Sequence, residues 1–174
     1  MPDLKSIPDE TKWQLAAKLA ALLPALYESA YRGVVGEKYD EIEQEIWMGL
    51  AHMLSTVVRD LALPSRTASE IAGSIRVVLT IWFGPDYKSE SFEVSKDGTV
   101  VLIRRCPFLD TSHTFVGEGS CTFQKCMALI LSTVPLLNKN YSARFVRTMC
   151  TGDRQCEIKI FEVKKTLADE GKKK

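Results

Sequence analysis

The chain has 174 residues, of which 45% are hydrophobic and 26% are charged, and its formal net charge is +1 at pH 7. This is an ordinary globular composition with enough apolar material for one core. Acidic and basic residues are interspersed, which excludes the basic surface that nucleic-acid binding requires. We therefore expect a soluble globular domain without a nucleic-acid partner.

The beginning of the sequence indicates a cytoplasmic protein without a membrane segment. Residues 1–5 lack the apolar core of a secretory signal. No apolar stretch approaches the roughly 20 residues that a membrane span needs. A reducing cytoplasm disfavours disulfides, and the odd number of cysteines, five, cannot all pair within one chain. The thiols are therefore expected to be metal ligands, reactive groups or buried apolar residues.

Apolar residues recur at helical spacing in the first half and predict two long helices, over about 9–30 and 40–61. The predicted buried stripe of the first helix consists of Leu15, Leu19, Leu22, Leu23 and Leu26. The corresponding stripe of the second consists of Ile42, Ile46, Leu50, Leu54, Val57 and Leu61, widened by Trp47 and Met53.

A third helix is predicted to follow Thr67, which forms a capping box with Glu70. Its stripe consists of Ile71, Ile75, Val78, Leu79 and Trp82. Gly84 then ends the helical portion, since glycine is favoured just beyond a helix.

The apolar pattern changes in the second half, where strands are expected. Runs at 91–95 and 99–105 flank Lys96-Asp97-Gly98 and predict a hairpin. A loop or lid over 108–119 and a fourth helix over about 122–136 should follow. Runs at 143–149 and 157–163 predict a second hairpin. The sequence thus predicts an α+β fold, with N-terminal helices followed by a small antiparallel sheet that has one helix across it.

We expect one domain over residues 1–165, with a helical portion over 9–84 and a cysteine-bearing α+β portion over 90–165. Residues 166–174, which end in three lysines, are predicted to form a flexible charged tail. Exposed apolar helix faces could support a homodimer.

All five cysteines lie in the last 70 or so residues, at Cys106, Cys121, Cys126, Cys150 and Cys156. The segment from Cys150 to Cys156 contains a Gly-Asp turn that can direct two thiols at one ion. Positions five apart on a helix are rotated by roughly 140°, so Cys121 and Cys126 can both be ligands only if Cys121 precedes the helix. Spacing alone leaves metal ligands and buried apolar thiols as alternatives.

The stretch over 101–161 resembles the 4-vinyl reductase-type domain, through a Cys-Pro, a mid-helix cysteine and then Cys-x-Gly-Asp-x-x-Cys followed by Glu-Ile-Lys-Ile. The helices-first layout is also similar to L-2-amino-thiazoline-4-carboxylic acid hydrolase-like proteins. The first resemblance implies a small-molecule-binding module of the kind found in phenol-sensing regulators and archaeal hydrocarbon-binding proteins. A small apolar ligand and an apolar cleft are therefore expected.

In the phenol sensors, a zinc ion is held by three cysteines and a glutamate, and the resemblance places Cys126, Cys150 and Cys156 at the cysteine positions. Arg147 stands near the expected glutamate position, which leaves the fourth ligand open. Cys121 is the preferred candidate, with Cys106 as its substitute. An all-cysteine set would suit an iron–sulfur cluster as well as zinc.

The sequence also allows functions of other classes. A hydrolase acting on carbon–nitrogen bonds would use Cys106 as nucleophile and His113 as base, because a thiolate paired with an imidazole is an activated nucleophile. An iron–sulfur redox or sensor protein is a further alternative. The preferred hypothesis is a metal-stabilised binding or sensing module that performs no catalysis.

Overall fold

The computed structural model describes residues 3–116 and 122–163. The prediction of an α+β fold is confirmed: three N-terminal helices precede a four-stranded antiparallel sheet. Two predictions lie outside the described residues, namely the position of Cys121 and the tail over 166–174.

The N-terminal helices are α1 (Asp9–Val35), α2 (Lys38–Asp60) and α3 (Ala68–Phe83). Helix α3 begins with the predicted capping box, in which Thr67 and Glu70 each accept a backbone hydrogen bond from the other's segment. It ends at Gly84, whose φ of +76° favours glycine. A Cβ at Gly84 would lie 2.7 Å from the Cβ of Ala17, so α1 crosses closely over this turn.

The sheet consists of β1 (Lys88–Ser95), β2 (Gly98–Arg105), β3 (Tyr141–Arg147) and β4 (Cys156–Glu162), in the order β1-β2-β4-β3. Both predicted hairpins are present as antiparallel pairs, β1 with β2 and β3 with β4. Helix α5 (Thr122–Leu137) corresponds to the predicted fourth helix and packs on α2 and β3.

The predicted loop or lid over 108–119 is wrong for its described part, because Pro107–Phe115 forms a helix, α4. Proline at the first position of a helix has a preset φ and loses no hydrogen bond, so Pro107 starts α4 instead of interrupting the chain. Phe108 on this helix is buried and makes edge-to-face contacts with Trp47 and Phe83, at ring-centroid distances of 5.1 and 4.4 Å.

The buried face of α1 differs from the predicted leucine stripe. Helix α1 packs through Ala17, Ala21, Ala25 and Glu28, and four of the five leucines are exposed. Small side chains allow close helix packing, and the leucines are displaced to the outer and lateral faces. The core instead lies between α2, α3, α5 and the inner face of the sheet.

Candidate functional site: a helix cavity and a thiol pocket

A cavity of about 610 Å³ opens beside α1, α2, the end of α3 and Phe108 of α4. We call it the helix cavity. The residues that line it are Ala20, Leu23, Pro24, Tyr27, Tyr31, Val35, Tyr39, Ile42, Glu43, Ile46, Trp47, Leu50, Met53, Trp82, Phe83 and Phe108. Its volume falls in the range of small-molecule sites, and an apolar wall with few polar groups is typical of them.

The wall of the helix cavity accounts for part of the misplaced apolar stripe of α2. Ile42 and Ile46 were predicted to be core, but 47% and 55% of their surfaces are exposed, and both line the cavity. The buried face of α2 is centred on Ala51 together with Trp47 and Leu54, two residues of the predicted stripe that are confirmed as buried. The second apolar face of α2 therefore borders open space.

The helix cavity has one charged residue, Glu43, among the described residues that line it. Glu43 is buried, and its carboxylate accepts a hydrogen bond from the Tyr39 hydroxyl at 3.0 Å. The Nζ atom of Lys125 lies 3.0 Å from the other oxygen of the same carboxylate. The apolar wall thus has one charged position among the described residues, where α2 meets α5.

Lys125 joins three helices through buried ion pairs. Its Nζ atom lies 2.7 Å from Oε2 of Glu28 on α1, as well as 3.0 Å from Glu43 on α2. Arg32 contacts both Glu28, at 2.8 Å, and Asp40, at 2.6 Å. Buried charges are tolerated when they are paired in this way.

Sequence reasoning missed this ion network, although a signal was present. Glu28 continues the Ala17, Ala21, Ala25 series at helical spacing, which places a carboxylate on a face of small residues. A charged residue on a buried face requires a partner of opposite charge. The partner, Lys125, is 97 residues away in the chain, so no local pattern could identify it.

A second, narrow pocket of about 30 Å³ lies between the start of α5, the end of β2 and the turn before β4. We call it the thiol pocket, because Cys106, Cys126, Cys150 and Cys156 all line it. Its volume is close to that of one water molecule. The structure therefore brings together four of the five cysteines that were predicted to form a site.

Each thiol of the pocket is held at the end or in the first turns of an element. Cys106 directly precedes α4, and Cys126 lies in the second turn of α5. Cys150 lies in a short 3₁₀ turn, Met149–Thr151, and its N–H donates to the Thr148 hydroxyl at 3.1 Å. The Met149 N–H donates to Sγ of Cys156, the first residue of β4, at 3.4 Å.

Burial raises the pKa of all four thiols. For Cys106 it raises the pKa to about 12, with the neighbouring thiols adding to the rise and the N–H groups of Leu109 and Phe108 opposing it. The thiols are therefore neutral at pH 7. This is the reverse of an activated nucleophile, whose pKa is lowered.

The structure does not pair the two residues of the predicted hydrolase site in a common environment. Cys106 lines the thiol pocket, whereas His113 is exposed on α4. The groups that perturb the pKa of Cys106 are other thiols and backbone N–H groups, and His113 is not one of them. These observations give the hydrolase hypothesis no geometric support.

The donor set of the thiol pocket fits a soft metal ion, since thiolates are the ligands that zinc and copper(I) favour. The spacing does not fit: within residues 3–116 and 122–163, no three Cys, His, Asp or Glu side chains stand close enough to hold an ion. Metal binding would require the thiols to approach one another.

Tyr87 adds a polar group to the thiol pocket. Its hydroxyl is buried and has no hydrogen-bond partner among the described residues. Burial, and to a smaller extent the nearby Cys106 thiol, raises the pKa of Tyr87 far above its ordinary value. The neighbouring Ser89 hydroxyl lowers this pKa in part, but it is not placed to form a hydrogen bond with the phenol. The Tyr87 phenol is therefore available to donate to a group in the pocket.

Phe83 and Phe108 line both the helix cavity and the thiol pocket. Their rings contact each other edge to face, with centroids 4.4 Å apart. We call this pair the shared wall. Phe108 is two residues from Cys106, so the wall is connected directly to one of the thiols.

Comparison with known proteins shows the fold but not a family. The chain is similar to the crystal structure of a trafficking protein particle complex subunit 3 from Naegleria fowleri, covalently bound to palmitic acid, with a TM-score of 0.51. Sequence identity is 14%, and the match covers 89% of this chain and 97% of that chain. No protein-family profile and no curated protein sequence matches. Among the described residues, no helix has the length and apolarity to cross a membrane.

Proposed function

We propose that this protein is a binding module for a small apolar molecule, which occupies the helix cavity. The observation that carries the proposal is the combination of a volume of about 610 Å³ and a wall with one charged residue among those described. Tyr27, Tyr31 and Ile46 on this wall are more than half exposed, and a ligand would cover them. The gain in buried apolar surface would drive binding.

Two similarities support this proposal. The Naegleria fowleri structure has the same fold and holds a palmitic acid, an apolar chain. The 4-vinyl reductase-type domain, which the cysteine-bearing segment resembles, includes hydrocarbon-binding proteins. We propose a cytoplasmic location, in agreement with the free state of the four described cysteines.

The proposal is tested by titrating the protein with N-phenyl-1-naphthylamine, a neutral apolar dye, and displacing it with nonylbenzene. Ile46→Asp places a charge on the wall of the helix cavity, and we expect it to weaken dye binding at least about tenfold. Ile81→Asp is the matched control, because Ile81 is 46% exposed on α3 and does not line the cavity. Absence of dye binding, or equal losses in both variants, would contradict the proposal.

We also propose that the thiol pocket takes one metal ion, zinc in the first instance. Four thiols and the Tyr87 phenol line the pocket. To bind the ion the thiols would have to approach one another and lose their protons, and the metal–thiolate bonds would offset the cost of that deprotonation. Space for about one water-sized particle favours a single ion over an iron–sulfur cluster. Bound metal would tie α4, α5 and β4 together and stabilise the fold.

Elemental analysis of protein purified without oxygen tests the metal proposal, together with its visible spectrum. We expect about one zinc per chain and its loss in Cys126→Ser and Cys156→Ser. Met127→Leu serves as the control, because Met127 neighbours Cys126 on α5 and does not line the pocket. Iron with sulfide would support the iron–sulfur alternative, and absence of any metal would contradict both.

A third proposal concerns protein partners. Leu15 and Leu19 are 60% and 55% exposed, are four residues apart on α1 and do not line the helix cavity. The Naegleria fowleri protein, which has a similar fold, is a subunit of a particle complex, and this supports a protein partner for the present chain. We propose that α1 contacts a second copy of this chain. Light scattering should show a dimer that Leu15→Ser with Leu19→Ser dissociates, whereas a monomeric wild-type protein would contradict the proposal.

A further inference from the structure

We infer that the ligand of the helix cavity carries a hydroxyl or amine head group that donates a hydrogen bond to the Glu43 carboxylate. The inference rests on the proposed function and adds the chemical class of the ligand. It assigns opposite ends to the ligand: an apolar body against the aromatic and aliphatic wall, and a donor head at the junction of α2 and α5.

The position of Glu43 carries the inference. Its side chain belongs to the wall of the helix cavity, and it is also in contact with Lys125, which does not line the cavity. Glu43 therefore stands between the ligand space and the lysine. A ligand that reaches this end of the cavity meets Glu43 before it meets Lys125.

The hydrogen-bond capacity of the carboxylate indicates a donor. An ionised carboxylate accepts hydrogen bonds and donates none. The Tyr39 hydroxyl donates to Oε1 at 3.0 Å, and Lys125 Nζ is 3.0 Å from Oε2. Both contacts hold the carboxylate in place, so a ligand donor would bind a preorganised acceptor in a region of low dielectric.

Electrostatics disfavours an acidic head group. A fatty-acid carboxylate at this end of the cavity would face the Glu43 carboxylate, and like charges repel strongly away from water. Lys125 already lies within 3.0 Å of two carboxylates, those of Glu28 and Glu43. A carboxylic acid would thus have to displace an existing ion pair, whereas an alcohol or amine would not.

The backbone carbonyl of Ala20 is a second acceptor that would favour a ligand with a hydrogen-bond donor. Pro24 lies inside α1 and has no N–H, so the carbonyl of Ala20, four residues earlier, lacks its helical donor. Both residues line the helix cavity. The Ala20 carbonyl is therefore a second hydrogen-bond acceptor on a residue of the wall, which also has the hydroxyls of Tyr27 and Tyr31.

The test is a series of ten-carbon ligands that displace N-phenyl-1-naphthylamine from the unmodified protein, each below its aggregation concentration. Decanol and decylamine donate hydrogen bonds, decyl methyl ether has the oxygen without the donor, and decanoate has the negative charge. We expect the two donors to bind about 10- to 100-fold more tightly than the ether, and decanoate to bind no more tightly than the ether.

The outcomes separate this inference from the proposed function. Equal affinities across the series, or tightest binding of decanoate, would overturn the donor head and leave the apolar ligand module intact. If neither the dye nor any of the ten-carbon ligands bound, the proposed function itself would be wrong.

Two variants localise the effect. Glu43→Gln keeps the shape of the side chain and removes its charge, so the advantage of decylamine over the ether should fall at least about tenfold. Asp40→Asn is the control, because Asp40 pairs with Arg32 in the same network at 2.6 Å but does not line the cavity. A preference for decylamine that is unchanged in Glu43→Gln would overturn the assignment. If that variant does not fold, the ligand series on the unmodified protein decides the question.

Discussion

The helix cavity and the thiol pocket adjoin each other, yet they are built in opposite ways. The helix cavity has about 610 Å³ of space and a wall on which Glu43 is paired with Tyr39 and Lys125. The thiol pocket has about 30 Å³ and holds four neutral thiols beside an unpartnered phenol. The first region offers volume with its one charged group already paired, and the second offers chemical groups with little volume. The helix cavity is therefore the region with room for a small molecule, and the thiol pocket is the region with groups that can react or bind a metal.

Of the changes that test this comparison, Lys125→Met is expected to have the largest effect on stability. The substitution removes the cation that faces Glu28 and Glu43, so two buried carboxylates lose a partner and the protein should lose about 3 to 5 kcal/mol of stability. Urea denaturation measures the change. Lys12→Met is the control, because its pair with the exposed Asp9 contributes at most about 1 kcal/mol. Equal losses would show that the network at the polar end of the cavity is not a structural requirement.

A smaller loss of stability is expected at alkaline pH, and it arises from the Cys106 thiol in the thiol pocket. The pKa of Cys106 is about 12 in the folded protein, compared with about 8.5 in an unfolded chain. Below pH 8.5 both states hold the proton and this thiol causes no pH dependence. Between these values the unfolded state releases it first, so the free energy of unfolding should fall by about 1.4 kcal/mol per pH unit.

Denaturant titrations from pH 7 to 10.5 check this prediction, with Cys106→Ala as the comparison, since lysine and tyrosine contributions are common to both proteins. We expect a shallower decline for the variant above pH 9. A metal-bound pocket would reverse the dependence, because thiolates held by a metal must be protonated as pH falls. Parallel curves would contradict the raised pKa of Cys106.

The smallest effect is expected from removal of the Tyr87 hydroxyl. A buried hydroxyl without a partner is unfavourable, so Tyr87→Phe should stabilise the metal-free protein by about 1 kcal/mol. Thr99→Val tests the same physics elsewhere, because the Thr99 hydroxyl on β2 is also buried without a partner among the described residues. If zinc binds in the pocket, Tyr87→Phe should weaken it while Thr99→Val should not.

Local signals in the sequence predicted the elements well. The capping box of Thr67 and Glu70, the turn at Lys96-Asp97-Gly98 and the end of α3 at Gly84 each depend on residues close in the chain. Such signals act through backbone geometry and are readable without a tertiary structure. The exception is the segment predicted to be a loop or lid from residue 108, which belongs to α4, a helix that begins at Pro107.

Packing faces were harder to predict than elements. The leucines of α1 and the isoleucines of α2 have helical spacing, but each helix has a second face, of small residues on α1 and of Tyr39, Glu43 and Trp47 on α2, that is buried instead. Periodicity shows that an apolar face exists and does not show whether it meets a core, a cavity or another molecule.

The candidate site was predicted in part. Convergence of Cys106, Cys126, Cys150 and Cys156 follows from their positions at the ends and first turns of elements, which the sequence allowed us to place. The family resemblance implied an apolar cleft. The separation of the thiols and the place and lining of the helix cavity could not be predicted, since they depend on how the helices pack. The choice of Cys121 as a ligand stays a prediction.

The shared wall of Phe83 and Phe108 is a physical route by which the two regions can be coupled. If a molecule in the helix cavity shifts these rings and so changes the affinity of the thiol pocket for an ion, that ion must change the affinity for the molecule by the same factor. The rate at which a thiol reagent labels Cys106 is then a reading of cavity occupancy, obtained without any label on the ligand. The reactivity of Cys106 would then indicate whether the helix cavity is occupied.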